Sequence, residues 1–148
     1  MEFPKEFISK LVQDNTHDCN VIEVYCTDLK GESKVKKLVI VSKSTCGTKF
    51  GCILINSDNY PLINNTHHLR SLQLTASVTK YPDFLEYNSY FDCSDIKQRT
   101  IEEIEEILQK EPKRMIGKID INDHKLICDA LKSNKTLSAK IKKLFNLE

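Results

Sequence analysis

The sequence predicts an α+β protein in which short antiparallel strands are followed by helices. Five or six apolar or β-branched segments of strand length lie between about residues 20 and 119, separated by turn residues. Such a run favours an antiparallel meander or a small closed barrel. From about residue 100 to 146 the apolar residues recur with helical spacing instead. The sequence therefore predicts one domain over residues 1–148, since no Gly- or Pro-rich linker divides it.

The first half of the chain is predicted to hold one helix and three strands. Lys5–Val12 places its apolar residues on one helical face, and the preceding Pro4 suits a first turn. The strands that follow contain many β-branched residues, which pack well on a pleated surface. Their predicted ranges are Val21–Thr27, Val35–Ser42 and Lys49–Asn56.

Two further strands and two to three helices are predicted in the second half. The strands are His67–Thr75 and Ser89–Cys93, and an irregular segment around Pro82 lies between them. Thr100 and Glu103 have the spacing of a capping box, which predicts a helix that ends before a proline. A short strand, a helix with Asp120 as its N-cap and a last helix complete the chain. These three elements are predicted over Arg114–Ile119, Ile121–Leu131 and Ser138–Leu144.

Charge is balanced overall but segregated along the chain. The sequence has 22 Lys and Arg against 21 Asp and Glu. Residues 28–57 contain six Lys and two acids, residues 81–111 contain nine acids and three bases, and residues 129–147 contain five Lys and one acid. Such blocks form solvated helix faces, pair with one another, or leave a basic surface that attracts phosphates. Composition leaves these three interpretations open.

Several classes of protein and site are disfavoured. The longest apolar runs, Leu38–Val41 and Ile53–Ile55, are far shorter than the roughly 20 residues of a membrane helix. The charged N-terminus is unlike a signal peptide, so a cytoplasmic location is expected and the six cysteines are interpreted as reduced thiols. No zinc-type cysteine spacing occurs, and the adjacent His67 and His68 would point to opposite faces of a strand. We therefore expect no metal and no cofactor, while a Cys–His nucleophile pair stays open.

Standard catalytic motifs do not occur. The four glycines form neither a phosphate-binding loop nor a nucleophile elbow. The acids of Glu102–Glu106 are better interpreted as the solvated face of a capped helix than as catalytic carboxylates. Four aromatic residues would stack on nucleic-acid bases if a basic groove lay beside them, although their spacing is more typical of a core. They are Tyr81, Tyr87, Tyr90 and Phe91.

Five segments, in order, resemble motifs of the MazF and PemK toxins over roughly Val35–Leu131. The segment that begins at Lys37 resembles their R-P-V-V-V-I-S strand. The other four segments resemble later motifs of the family and occur in the family's order. The segments are Lys37–Ser42, Cys52–Ser57, Thr66–Leu69, Ser89–Lys97 and Ile116–Asp120. The resemblance implies a small SH3-like antiparallel barrel of the CcdB/PemK type, a homodimer and an antitoxin protein as partner.

The resemblance also implies an activity, the metal-independent cleavage of single-stranded RNA by a toxin of a toxin–antitoxin pair. Lys37 stands near the position of the family's arginine and Ser57 at that of its Thr or Ser, so these two are the predicted catalytic residues. The predicted RNA-binding residues are Lys36, Lys43, Lys49 and Lys97. Because lysine cannot grip a phosphate bidentately as arginine does, the alternative hypothesis is a catalytically inactive barrel. Such a barrel would serve as a binding, regulatory or phage-defence-related module.

Overall fold

The protein is an α+β fold built on one six-stranded antiparallel sheet. The computed structural model describes residues 19–29, 32–56 and 70–148, together with residues 4 and 6. The strand order is β4-β5-β3-β2-β1-β6, so β2 and β3 lie at the centre of the sheet. The strands are β1 (Asn20–Leu29), β2 (Glu32–Lys43), β3 (Lys49–Asn56), β4 (Gln73–Ala76), β5 (Ser89–Thr100) and β6 (Met115–Lys118).

Three α-helices follow or flank the last strands, and each begins at a residue whose side chain caps it. The helices are α1 (Ile101–Lys110), α2 (Ile121–Ser133) and α3 (Ala139–Leu144), with a short 3₁₀ turn at Pro112–Arg114. The predicted capping box is confirmed, because the Thr100 side chain accepts from the backbone of Glu103 while the Glu103 carboxylate accepts in return. Asp120 caps α2 in the same manner, as predicted.

The sheet is covered on both faces. On the face that we call the α1 face, strand residues such as Ile40 and Leu54 pack with Ile104 and Leu108 of α1. On the opposite face, the α2 face, buried residues of the same strands pack with α2 and the C-terminal segment. This second core includes Val39, Ile53, Phe91, Ile127, Leu131 and Phe145. Alternation along each strand therefore sends neighbouring side chains into two separate cores.

The predicted closed barrel is not formed by strand pairing. The edge strands β4 and β6 pair only with β5 and β1 in the described sheet, so it stays open. Side chains join its edges instead, because Phe84 of the β4–β5 connection lies against Gly117 of β6. A Cβ atom at Gly117 would lie 2.3 Å from Phe84 Cδ1, so glycine is required for this approach. We call the contact between residues 80–84, β6 and the start of α2 the seam.

Most predicted elements are confirmed, and the differences have local causes. The strand predicted at Ser89–Cys93 continues to Thr100, because β5 pairs with β3 along its whole length through an irregularity in register. The strand predicted at His67–Thr75 is too long, since Arg70 and Ser71 are helical and β4 begins at Gln73. The predicted helix Lys5–Val12 lies almost wholly outside the described residues. No helix in the described ranges is both long and apolar enough to span a membrane.

Candidate functional site

A groove of about 200 Å³ lies between the first half of β2 and the connection that precedes β5. Ile55 and Leu85, both buried members of the α2-face core, give it an apolar base. Three lysines and one acid line it together with Val35, Tyr87 and Ser89. The charged residues are Lys34, Lys36, Lys37 and Glu86. We call this feature the lysine groove. Lys36 lies opposite Val24 and Lys34 opposite Cys26, and both partners belong to the α1-face core, so Lys37 alone of the three lysines has its side chain on the face of Ile55.

Lys37, the predicted catalytic lysine, lines this groove and makes no ion pair with the described residues. It lies on β2 directly opposite Glu23 of β1 on one side and Ile55 of β3 on the other. Arg114 engages Glu23, with 3.4 Å between Arg114 Nη1 and Glu23 Oε1. Among the residues that the structure describes, the Lys37 side chain has neither a hydrogen bond nor an ion pair. Its ammonium group is therefore available to an anion that enters the groove.

Two of the predicted RNA-binding lysines lie far from the groove. Lys43 and Lys49 stand at the other end of the β2–β3 hairpin, where Lys43 pairs with Phe50 and Lys49 with Thr100. At about 3.3 Å per residue, the distance along β2 from Lys37 to Lys43 is about 20 Å. Lys36 is next to Lys37 along β2, but its side chain lies on the α1 face because Lys36 is opposite Val24 of that core. The structure therefore separates Lys36, Lys43 and Lys49 from the side chain of Lys37.

The remaining predicted residues do not complete the groove. Lys97 lies on β5 opposite Cys52, and Cys52 belongs to the α1-face core. The side chain of Lys97 is therefore on the α1 face, whereas that of Lys37 is on the α2 face. Its Nζ lies 3.3 Å from Asp95 Oδ2, so an acid already compensates its charge. Ser57, the second predicted catalytic residue, lies outside the described residues.

The four aromatic residues considered for base stacking separate into two groups. Tyr81 and Phe91 are buried in the α2-face core, as the core interpretation predicts. Tyr87 is 57% exposed and lines the lysine groove. Tyr90 is half-buried on β5 opposite Asn56. Only Tyr87 of this set lies where a base could reach both an aromatic ring and a lysine.

The seam holds the densest charge network in the described ranges. Lys80 Nζ lies 2.6 Å from Asp120 Oδ2 and 2.9 Å from Asp123 Oδ2, and the Tyr81 hydroxyl donates to the same Asp123 oxygen at 2.5 Å. Hydrogen bonds from Lys80 and from the backbone of Asp123 lower the pKa of Asp120. Burial, followed by the hydrogen bond to Asp123, raises the pKa of Tyr81 to about 12. The two carboxylates compensate the charge of Lys80, and these contacts fasten the β4–β5 connection to α2.

A buried polar cluster on the α1 face has a structural role. The Asp92 carboxylate accepts from Asn56 Nδ2 at 3.2 Å, from Gln73 Nε2 at 2.7 Å and from the backbone of Ser94 at 3.0 Å. These contacts join β3, β4 and β5 near the end of β3. Because Asp92 lies opposite Leu54 of the α1-face core, the cluster is on the other side of the sheet from Lys37.

A Cys–His pair occurs on α2, but its geometry is that of an anchor. His124 Nε2 bonds the Val41 carbonyl at 2.7 Å, so this nitrogen donates and ties α2 to β2. The Cys128 thiol lies 4.0 Å from the remaining nitrogen, Nδ1. A base that activates a nucleophile needs a closer hydrogen bond than this. In the described ranges, no three His, Cys, Asp or Glu side chains are grouped as metal ligands would be.

Sequence reasoning missed two lining residues of the groove, Lys34 and Glu86. Lys34 belongs to the basic block, but it is three residues before Lys37 on one strand, a spacing that places the two side chains on opposite faces. Glu86 has no signal in the sequence, because only the folding of the irregular segment brings it beside β2. No model of a known protein family matches the chain, and a search among curated proteins finds no similar sequence either.

Proposed function

We propose that the chain binds single-stranded RNA in the lysine groove. The observation that carries this proposal is the ammonium group of Lys37, which makes no ion pair with the described residues and lines a groove with Ile55 and Leu85 at its base. An ammonium group without an ion-pair partner attracts the phosphates of a nucleic acid.

The proposal extends to cleavage of the bound RNA without a metal ion, as in the MazF and PemK toxins that the sequence resembles. Such a reaction joins the ribose 2′-oxygen to phosphorus and breaks the bond from phosphorus to the 5′-oxygen of the next nucleotide. It needs a cation to stabilise charge on the phosphorane and a group that takes the proton of the 2′-hydroxyl, while water or that same group returns a proton to the leaving 5′-oxygen. Lys37 is the cation in this proposal, and Ser57 assists. Glu86 lines the same groove and supplies a carboxylate for the proton transfer. The SH3-like arrangement, the homodimer, the antitoxin partner and the cytoplasmic location belong to the same proposal.

The second candidate is a binding module that holds RNA and does not cut it. It is favoured by lysine at the position of the family's arginine, since an ammonium group makes no bidentate contact with a phosphate. Both candidates require the lysine groove to bind RNA. They differ only in whether the phosphodiester bond is broken.

Binding is tested by fluorescence anisotropy with a labelled, unstructured oligoribonucleotide. We expect Lys37→Ala to weaken binding about tenfold, since a charge-assisted hydrogen bond contributes roughly 1.5 kcal/mol. Lys140→Ala is the matched control, because it removes the same charge from α3, whose end contacts the turn at the far end of the hairpin. Equal affinities for the wild type and Lys37→Ala would refute RNA binding in this groove.

Cleavage is tested by incubating varied single-stranded RNAs with EDTA-treated protein. The endoribonuclease candidate predicts products with the wild type, none with Lys37→Ala, and growth arrest when the wild type is induced in a bacterial host. Intact RNA in every reaction, with binding retained, would leave the binding module as the function.

A further inference from the structure

Three large apolar side chains are exposed beside the lysine groove. Tyr25 is 60% exposed, Tyr87 is 57% exposed and Val35 is 45% exposed. Tyr25 and Val35 are directly opposite each other on β1 and β2, which places their Cβ atoms about 5 Å apart. Val35 and Tyr87 both line the groove. The three side chains therefore flank the groove as one apolar surface.

This surface is a continuation of the α2 face beyond its core. Val39 and Val21 are opposite each other and fully buried, and the next pairs on the same face are Lys37 with Glu23 and then Val35 with Tyr25. Along β2, the side chains on this face are buried at Val39 and exposed to solvent at Val35. Large apolar residues that remain exposed on such a face are typical of a binding surface.

We propose that Tyr25 and Tyr87 form a stacking platform for unpaired bases, with Val35 between them. This inference rests on the proposed function, because the occupant that it names is single-stranded RNA. Charge complementarity selects that occupant, since the platform borders the ammonium group of Lys37 and a nucleotide carries both a flat apolar base and a phosphate. Tyrosine suits this position because its ring is apolar and its hydroxyl tolerates water.

The platform gives the groove a preference for RNA that is not base-paired. Bases in a duplex are already stacked on one another and are not free to lie on a tyrosine ring. The lysines alone would bind the phosphates of either form. Discrimination between single-stranded and duplex RNA therefore comes from Tyr25 and Tyr87, whereas Lys37 contributes affinity for both.

The test compares serine and phenylalanine variants of both tyrosines by fluorescence anisotropy. The probes are a single-stranded oligoribonucleotide of about 12 nucleotides, within the range of single-strand sites, and the same sequence in a duplex. We expect Tyr25→Ser and Tyr87→Ser each to weaken single-strand binding about tenfold and to leave duplex binding unchanged. The phenylalanine variants keep the ring and should bind within about twofold of the wild type. Both positions are exposed, so thermal unfolding should be unaltered in all four variants.

The outcomes separate this inference from the proposed function. If the serine variants bind single strands as tightly as the wild type while Lys37→Ala binds weakly, the stacking proposal is wrong and RNA binding in the groove is confirmed. If the wild type binds no RNA, the proposed function fails and the platform fails with it. If light scattering shows that the wild type is a dimer and Tyr25→Ser a monomer, the surface joins two copies of the chain and the platform is also wrong.

Discussion

The connection between β4 and β5 takes part in two surfaces of opposite character. At the seam, Lys80 contacts two carboxylates and Tyr81 donates to one of them. At the lysine groove, the residues that follow on the same connection lie beside Lys37, which has no ion pair among the described residues. The two lysines therefore differ in whether the fold gives them an ion-pair partner, and under the proposed function this difference leaves Lys37 able to bind an anion.

The largest expected effect is on stability at the seam. Gly117→Ala places a methyl group 2.3 Å from Phe84 Cδ1, so the ring or the strand must move. We expect the free energy of unfolding to fall by about 1–3 kcal/mol, the usual cost of overpacking. Urea unfolding followed by circular dichroism measures this change.

The matched control for that substitution is the double variant Gly117→Ala/Phe84→Leu. A smaller side chain at position 84 relieves the clash, so the two substitutions should be less destabilising together than the sum of their separate effects. Strict additivity would show that Phe84 does not lie against β6 in solution.

Removal of the Tyr81 hydroxyl should have the next largest effect. Tyr81→Phe keeps the stacked ring, 5.3 Å from Phe84, but removes the hydrogen bonds with Asp123 and with the backbone of Asp120. We expect a loss of about 1–2 kcal/mol in the free energy of unfolding and no change in RNA affinity. A variant that binds RNA more weakly at unchanged stability would contradict the division between seam and groove.

The pH dependence of this loss follows from the raised pKa of Tyr81. Because that pKa is about 12 in the folded protein and about 10 when unfolded, the hydroxyl's contribution is complete below pH 10. It should decline as the pH rises from about 10 to about 12. The difference in unfolding free energy between the wild type and Tyr81→Phe, measured across this range, should therefore shrink.

The smallest effect on binding is expected at Cys46, which lies in the turn at the far end of the β2–β3 hairpin. Hydrogen bonds with the hydroxyls of Ser44 and Thr48 lower its pKa to about 7. Its alkylation rate should therefore reach half its plateau near pH 7, and Thr48→Val should shift that midpoint upward. Complete alkylation should leave RNA affinity unchanged. A midpoint near the ordinary thiol value of about 8.5 would show that these hydrogen bonds are absent.

Local patterns predicted much of the fold, and long-range packing explains what they missed. The bounds of β3 and the caps Thr100 and Asp120 were predicted because alternation and capping act over a few residues. The seam was not predicted, because nothing near Gly117 in the sequence indicates that Phe84 will lie against this glycine.

The same limit applies to the candidate site. The basic block predicted Lys37, but it equally predicted Lys36, whose side chain lies on the other face, and Lys43, which lies about 20 Å away along β2. Glu86 and Tyr87 join the groove only because the seam fixes the connection that bears them. Whether a given lysine has an acid partner depends on long-range contacts of this kind. The spacing of residues in the sequence does not predict them.

The most direct test of the account is the salt dependence of RNA affinity for two variants that each lose one positive charge. On a plot of log affinity against log salt concentration, a phosphate contact with single-stranded RNA contributes about 0.7 to the slope. Lys37→Ala should lower the slope by about that amount, whereas Lys80→Ala should keep the wild-type slope because its charge is already compensated by Asp120 and Asp123. Equal slopes for the two variants would contradict the claim that the lysine groove binds RNA through Lys37.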